Sequence, residues 1–310
     1  MSFFVEDLLN SIKLRSFAPI SQSTLDDDDL VSLAQEELSL QLVSDLLDVR
    51  EDFFTTTEDV SIVNNTSHYS IPSRAIGNSL KKLFYVNSAG EIFPLNLVDS
   101  ARLAEYSLTG NSPESYYFAG DEVVLVPKPN QTTGSLRFLF AAKPNTLTLT
   151  ENCSKITLVT AGVSTVVFTV NTDLTASLTT SSYVDVISVK SPFKLWTYRA
   201  LIQAISATQI TLLLSNVIDQ EGVNVEPQVG DYICPTGTAN IPQIPTEFHP
   251  VLSQMVNVRL MGSLGDLNKK QVEEAELMKL RNNALKLIRN RVEASPKKIT
   301  KRNTLITYLR

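Results

Sequence analysis

Between residues 30 and 47, the apolar positions Leu30, Leu33, Ala34, Leu38, Leu42, Val43, Leu46 and Leu47 recur at helical spacing. That period leaves one greasy face and one polar face, and it predicts a long helix over residues 24–52. Thr24 followed by Asp27 fits a capping box at its start. Asp26, Asp27, Asp28 and Asp29 fall in the first turn, where carboxylates meet the positive end of the helix dipole. Four adjacent aspartates also raise a divalent-metal site. The Asp-x-Asp-x-Asp-Gly spacing of a calcium loop is absent, however, and neighbouring helical carboxylates diverge. Dipole compensation is the simpler account.

From 55 to 145 the period shortens to two, and turns punctuate the chain. Val60 and Ile62, then Tyr69 and Ile71, precede Pro72, after which residues 73–76 read as a brief helical segment. Leu83–Val86 and Glu91–Leu95 flank the turn Asn87-Ser88-Ala89-Gly90 and predict a hairpin. Tyr116–Phe118 and Val123–Val126 predict a second, and a further strand covers Ser135–Phe140.

Residues 146–240 differ in character. Threonine, serine and valine dominate, charge nearly vanishes, and β-branched runs recur at 156–159, 165–170, 187–189, 200–202 and 210–214. Many short strands with few helical signals predict an inserted all-β domain, a small sandwich or barrel. Its scarcity of charge, and its place between two parts that can pair without it, predict an outward appendage. Helical spacing returns after Pro250, which suits a first helical turn, and runs to Gly262 and Gly265. Asp266 then caps a second helix through Val292, ending before Pro296. The fold class is therefore α+β. Its expected parts are an N-terminal helix-and-hairpin region over 1–145, the insert over 146–240, a helical return over 241–295 and a basic tail over 296–310.

Charge adds an asymmetry. Residues 1–60 hold fourteen acidic against three basic side chains, whereas residues 251–310 hold thirteen basic against five acidic. Opposite ends of neighbouring copies would attract, which points to oriented partners or head-to-tail self-association. Composition contributes exclusions. With 43% apolar residues in 310, the chain can bury real cores, and wholesale disorder is ruled out. No apolar run is long enough to span a membrane, and the acidic start lacks a signal-peptide pattern. Cys153 and Cys234 lack metal-ligand spacing and read as reduced thiols in a cytosolic setting.

Catalytic chemistry is sparse. His68 and His249 have no companion cluster. Phosphate-binding and dinucleotide-binding glycine loops are absent, and Met261–Gly265 spaces its glycines one residue too close for a nucleophile elbow. The expectation is a protein without catalytic residues, cofactor or metal. In the tail, Lys297, Lys298, Lys301 and Arg302 would suit phosphates, yet Leu305, Tyr308 and Leu309 before Arg310 fit strand addition onto a protein better.

The order of these features resembles a known family. Tyr69-Ser70-Ile71-Pro72-Ser73-Arg74-Ala75-Ile76, then Leu83–Val86 and Ile92–Leu95, is similar to the central region of the head-to-tail adaptor, or connector, proteins of tailed bacteriophages. The stretch Tyr116–Pro129 resembles that family's hairpin, with two tyrosines, a Gly-Asp turn and a Pro-x-Pro exit. Val229–Ile233 and Ile241–Pro250 look like its lead into the C-terminal helices. The resemblance implies a virion structural protein assembled in the host cytoplasm, without a membrane partner. It implies a ring, typically of twelve copies, beneath the portal at the capsid–tail neck. Such a ring extends the channel through which DNA passes and carries tail or nozzle proteins. A C-terminal extension docks on the portal or a neighbour, here Lys297, Lys298, Lys301, Arg302, Leu305, Tyr308, Leu309 and Arg310. Asp26–Asp29 would line the channel or meet a neighbouring subunit. Two classes compete: a tail-associated receptor- or carbohydrate-binding protein acting through the β domain, with Trp196, Tyr198 and Tyr183 as stacking candidates, and a carboxylate hydrolase hidden in the α+β scaffold, although nothing in the sequence singles out a pair of carboxylates.

Overall fold

A computed structural model describes residues 3–16, 26–99, 101, 103, 109–130, 132–190, 195–214 and 227–288. A helix not expected from the sequence precedes the acidic one. Val5, Leu8, Leu9 and Ile12 are spaced for one face, and α1 (Val5–Ser16) buries all four. The long acidic helix follows in three pieces: α2 (Asp27–Glu37), a π-helical turn at Leu38–Leu42, and α3 (Val43–Val49). Its cap is Asp26 with Asp29 three residues on, a full capping box, instead of the expected Thr24 with Asp27. Thr24 lies outside the described residues.

Strands β1 (Thr55–Ser61), β2 (His68–Ser70), β3 (Ala75–Val86), β4 (Ile92–Pro94), β5 (Asn96–Leu97), β6 (Thr109–Gly110), β7 (Ser115–Ala119), β8 (Glu122–Val126), β9 (Lys128–Pro129) and β10 (Ser135–Ala142) come next. Both predicted hairpins are present, as β3–β4 and β7–β8. Residues 73–76 are not helical. After the turn closed by Ala75 N–H on Pro72 O, the chain enters β3, whose first residue pairs with Ala142. Long-range pairing with β10 overrides the weak local preference. Two four-stranded sheets result, ordered β1-β10-β3-β4 and β2-β8-β7-β5, with two parallel strands, β6 and β9, beside them. One apolar cluster joins the two larger sheets, and Leu136, Phe138 and Phe140 of β10 are fully buried in it. Each such side chain contributes roughly 1.5–3 kcal/mol.

After β11 (Thr146–Leu147), six strands close a barrel: β12 (Ser154–Ala161), β13 (Thr165–Val170), β14 (Tyr183–Ile187), β15 (Leu195–Ile205), β16 (Gln209–Leu213) and β17 (Tyr232–Pro235), ordered β12-β13-β16-β15-β14-β17. Tyr232 and Ile233 thus belong to the barrel, not to a lead into the helices. Alternate side chains such as Val166, Phe168 and Val170 fill its interior. Strand β18 (Thr238–Ala239) then pairs in parallel with β11, so the segments entering and leaving the barrel run side by side.

The reduced-thiol reading is overturned. Cys153 and Cys234 form a disulfide, with Cα atoms 4.5 Å apart. The cause is register, not spacing: β12 pairs Ser154 with Ile233, which sets residues 153 and 234 opposite as the next pair. The short Cα separation suits a non-hydrogen-bonded pair.

The chain ends in α4 (His249–Ser263) and α5 (Leu267–Ile288). Pro250 sits in the first turn of α4, and Gly265 takes a left-handed φ of +78° in the turn between the helices, as glycine readily does. Asp266 accepts a hydrogen bond from Lys269 N–H at 3.1 Å and starts α5. Val292, Pro296 and the tail lie outside the described residues. Helix α4 is the hub, with Leu252, Val256 and Leu260 buried in one cluster with α1, α2, α3 and α5.

Candidate interaction surfaces

Of the two residue groups singled out for docking, the acidic one is described. Asp26, Asp28 and Asp29 are exposed at the start of α2, and Asp27 is half-buried beside Lys13, its ion-pair partner at 2.5 Å. Asp26 Oδ1 accepts from Asp27 N–H at 2.7 Å, while Asp29 Oδ2 accepts from Asp26 N–H at 3.3 Å. These carboxylates therefore close the helix end and compensate its dipole. Among the described residues, no group of three or more His, Cys, Asp or Glu side chains is arranged to hold a metal. The basic group, Lys297, Lys298, Lys301, Arg302, Leu305, Tyr308, Leu309 and Arg310, lies outside the described residues.

The histidines separate. His68 is exposed and pairs with Glu122 across β2 and β8 at 3.0 Å. His249 is buried at the start of α4, with Nε2 3.3 Å from Ile244 O and its ring edge-on to Phe3 at 4.8 Å. Burial holds its pKa down to about 4. An open groove of about 340 Å3 runs past Glu6, Asn10, Lys13, Asp27 and Glu151. Three of its polar groups are already engaged: Lys13 and Asp27 with each other, and Glu6 with the Thr150 N–H and hydroxyl at 2.6 and 2.7 Å.

A polar junction at the base of the barrel escaped the sequence reading. Asp185, fully buried in β14, accepts from Asn145 Nδ2 and Arg199 N–H at 2.8 Å, and from Thr236 Oγ1 and Gly237 N–H at 2.9 Å. Arg199 has a left-handed φ of +54°, at a register shift between β14 and β15, and Asp185 satisfies its otherwise unpaired N–H. Asn145 is bridged in turn to the Arg74 guanidinium, which also donates to Lys143 O at 2.8 Å and lies over the Tyr198 ring at 4.5 Å. Burial draws the pKa of Arg74 below its ordinary range, against the charge of Asp185 that raises it. Burial likewise lifts Glu58, against the nearby Arg199 and Arg74. A lone acid in the apolar strand Tyr183-Val184-Asp185-Val186-Ile187 is the signal that marks this junction, because a buried carboxyl group requires donors.

The junction also bears on carbohydrate stacking. Arg74 faces Tyr198, and Arg199 faces Tyr183 at 4.9 Å, so protein cations already occupy one face of both rings. The Trp196 side chain is outside the described set. Helix α1 adds a second fastening, through Val5 N–H on Asn240 O at 3.0 Å and Phe4 edge-on to Tyr232 at 5.5 Å. The barrel is thus bolted to the helical and hairpin parts.

No helix among the described residues is long and apolar enough to cross a membrane. No curated protein matches the chain. The SU10 adaptor protein family matches residues 5–164, from α1 through the two hairpin sheets and into the barrel just beyond β12. Over half of its length, from the first helix to the first barrel strand, this chain belongs to the SU10 adaptor protein family and is a bacteriophage structural adaptor.

Proposed function

We propose that the protein assembles as a closed ring, of twelve copies, beneath the portal at the capsid–tail neck. There it extends the DNA channel and presents a platform to tail or nozzle proteins. The family match over residues 5–164 carries this reading. The opposed charges of residues 1–60 and 251–310 support it, because one chain then holds both halves of a repeating contact. In this role Asp26–Asp29 meet a neighbouring subunit or face the channel, where carboxylates repel the phosphate backbone and let DNA slide. The barrel points outward, and the work is done by shape and charge without a catalytic site. The protein is assembled into the virion in the host cytoplasm.

Docking on the portal is assigned to residues 296–310. Four bases within six residues repel one another, and Thr304–Leu309 then offers a short β-prone strip with Tyr308 as an anchor. Ordering that strip costs roughly 1–2 kcal/mol of backbone entropy per residue, which a partner surface must offset. Truncation after Ser295 is expected to leave the melting temperature of the protein unchanged while abolishing co-sedimentation with portal-bearing capsids. A truncated chain that still docks with full affinity contradicts the assignment.

A further inference from the structure

We infer that neighbouring copies join through two helix faces that the described residues leave uncovered: the outward face of α5 and the outward face of α2–α3. This inference rests on the ring reading above and names its contact. Helix α5 packs inward through Leu277, Leu280, Ala284 and Ile288. Its opposite face carries Val272, 67% exposed, and Met278, 68% exposed, beside the exposed Ala275, Lys279 and Lys286. The carboxylates bordering that face are already engaged: Glu274, one turn from Met278, pairs with Lys270, and Glu276, one turn from Val272, with Arg15, while Glu273 turns inward and accepts from Gln254 and Asn257.

The α2–α3 run is the electrostatic opposite, with no Lys, Arg or His anywhere in residues 27–49. Bases from other helices pair with several of its acids: Lys13 with Asp27, Arg259 with the exposed Glu36 and the buried Glu37, Arg281 with the buried Asp45. Asp28 and Asp48 are exposed and have no such partner among the described residues. Between them the π-helical turn presents Leu40, 74% exposed, and π-turns gather at functional positions. One face is thus basic with an exposed valine and methionine, the other acidic with an exposed leucine. Their complementarity commits the occupant of each to the opposite face of a second copy. Because the two faces are different surfaces of one chain, the contact is heterologous and repeats head to tail.

The test is charge reversal in the full-length chain, read by sedimentation velocity at low salt and by attachment to portal-bearing capsids. Lys279→Glu with Lys286→Glu, and separately Asp28→Lys with Asp48→Lys, should each weaken self-association by about tenfold or more. The quadruple variant, with both faces reversed, should recover it. Ala275→Trp at an exposed position should block the contact by bulk, and circular dichroism checks that each variant is folded. Folded double variants that assemble like the parent overturn this contact while leaving the ring reading intact. A parent chain that stays monomeric, both alone and on capsids, overturns the ring reading and this contact with it.

Discussion

Reducing the Cys153–Cys234 disulfide, or replacing both cysteines with serine, is expected to cost the barrel about 4 kcal/mol of stability. The two residues are 81 positions apart and flank almost the whole barrel, from the edge of β12 to β17. Cross-linking them removes the entropy of a loop of that length from the unfolded chain. Both side chains are buried, Cys153 at 1% and Cys234 at 0% exposure, within a small apolar cluster that Phe4 of the N-terminal segment covers. Serine in their place would add hydroxyl groups to an apolar site, so reduction alone is the cleaner perturbation. The measurement is the urea midpoint of unfolding with and without reductant, paired with thiol titration of the denatured chain. Two free thiols before reduction, or a midpoint that reductant does not move, would contradict the structure.

Acidification should weaken the helical core through His249. Its pKa is held down to about 4, against an ordinary value of 6.5, because desolvation opposes the charged imidazolium. Hydrogen bonding to Ile244 O only partly counters that effect. Between pH 6.5 and 4 the unfolded chain takes up a proton that the folded chain refuses, so stability falls as pH drops through this window. Above pH 7 both states carry neutral histidine and the dependence vanishes; below pH 4 both are charged and it levels off. The loss across the window is about 3 kcal/mol. Protonated carboxylates add their own losses in acid, so the informative quantity is the difference between parent and His249→Gln. The parent should lose more stability than the variant from pH 7 to pH 4.5, by chemical denaturation. Parallel pH curves for the two proteins would show that the ring protonates in the fold without cost.

What could be read from the sequence was what local chemistry decides. The Asn87–Gly90 turn and the Ala119–Asp121 turn specify their hairpins within a few residues, and β3–β4 and β7–β8 follow. The β-branched runs between 156 and 214 mark an all-β unit, and the structure decides for a barrel. Pairing between distant segments was not legible. Residues 73–76 read as helix until β10 recruits Ala75, and the cysteines read as separate thiols until β12 and β17 align. Helix α1 is written in the spacing of Val5, Leu8, Leu9 and Ile12, one apolar face over a little more than two turns, a pattern too short to stand out without the cluster that buries it. Asp185 is a charge within an apolar strand, a signal the sequence reading missed, and only the fold supplies its partners Asn145 and Gly237. The faces inferred for subunit contact combine both levels. Their charge signs lie in the sequence, while their exposure and the π-turn beneath Leu40 emerge only on folding.

The proposed role at the neck is tested most directly by mixing the purified full-length chain with DNA-filled, tailless heads and imaging them by electron cryomicroscopy. The account predicts a closed ring of twelve copies at a single vertex of each head, stacked on the portal and coaxial with the DNA channel, with its barrels projecting outward. Heads without added density at the portal vertex, or copies scattered over the shell, would contradict it.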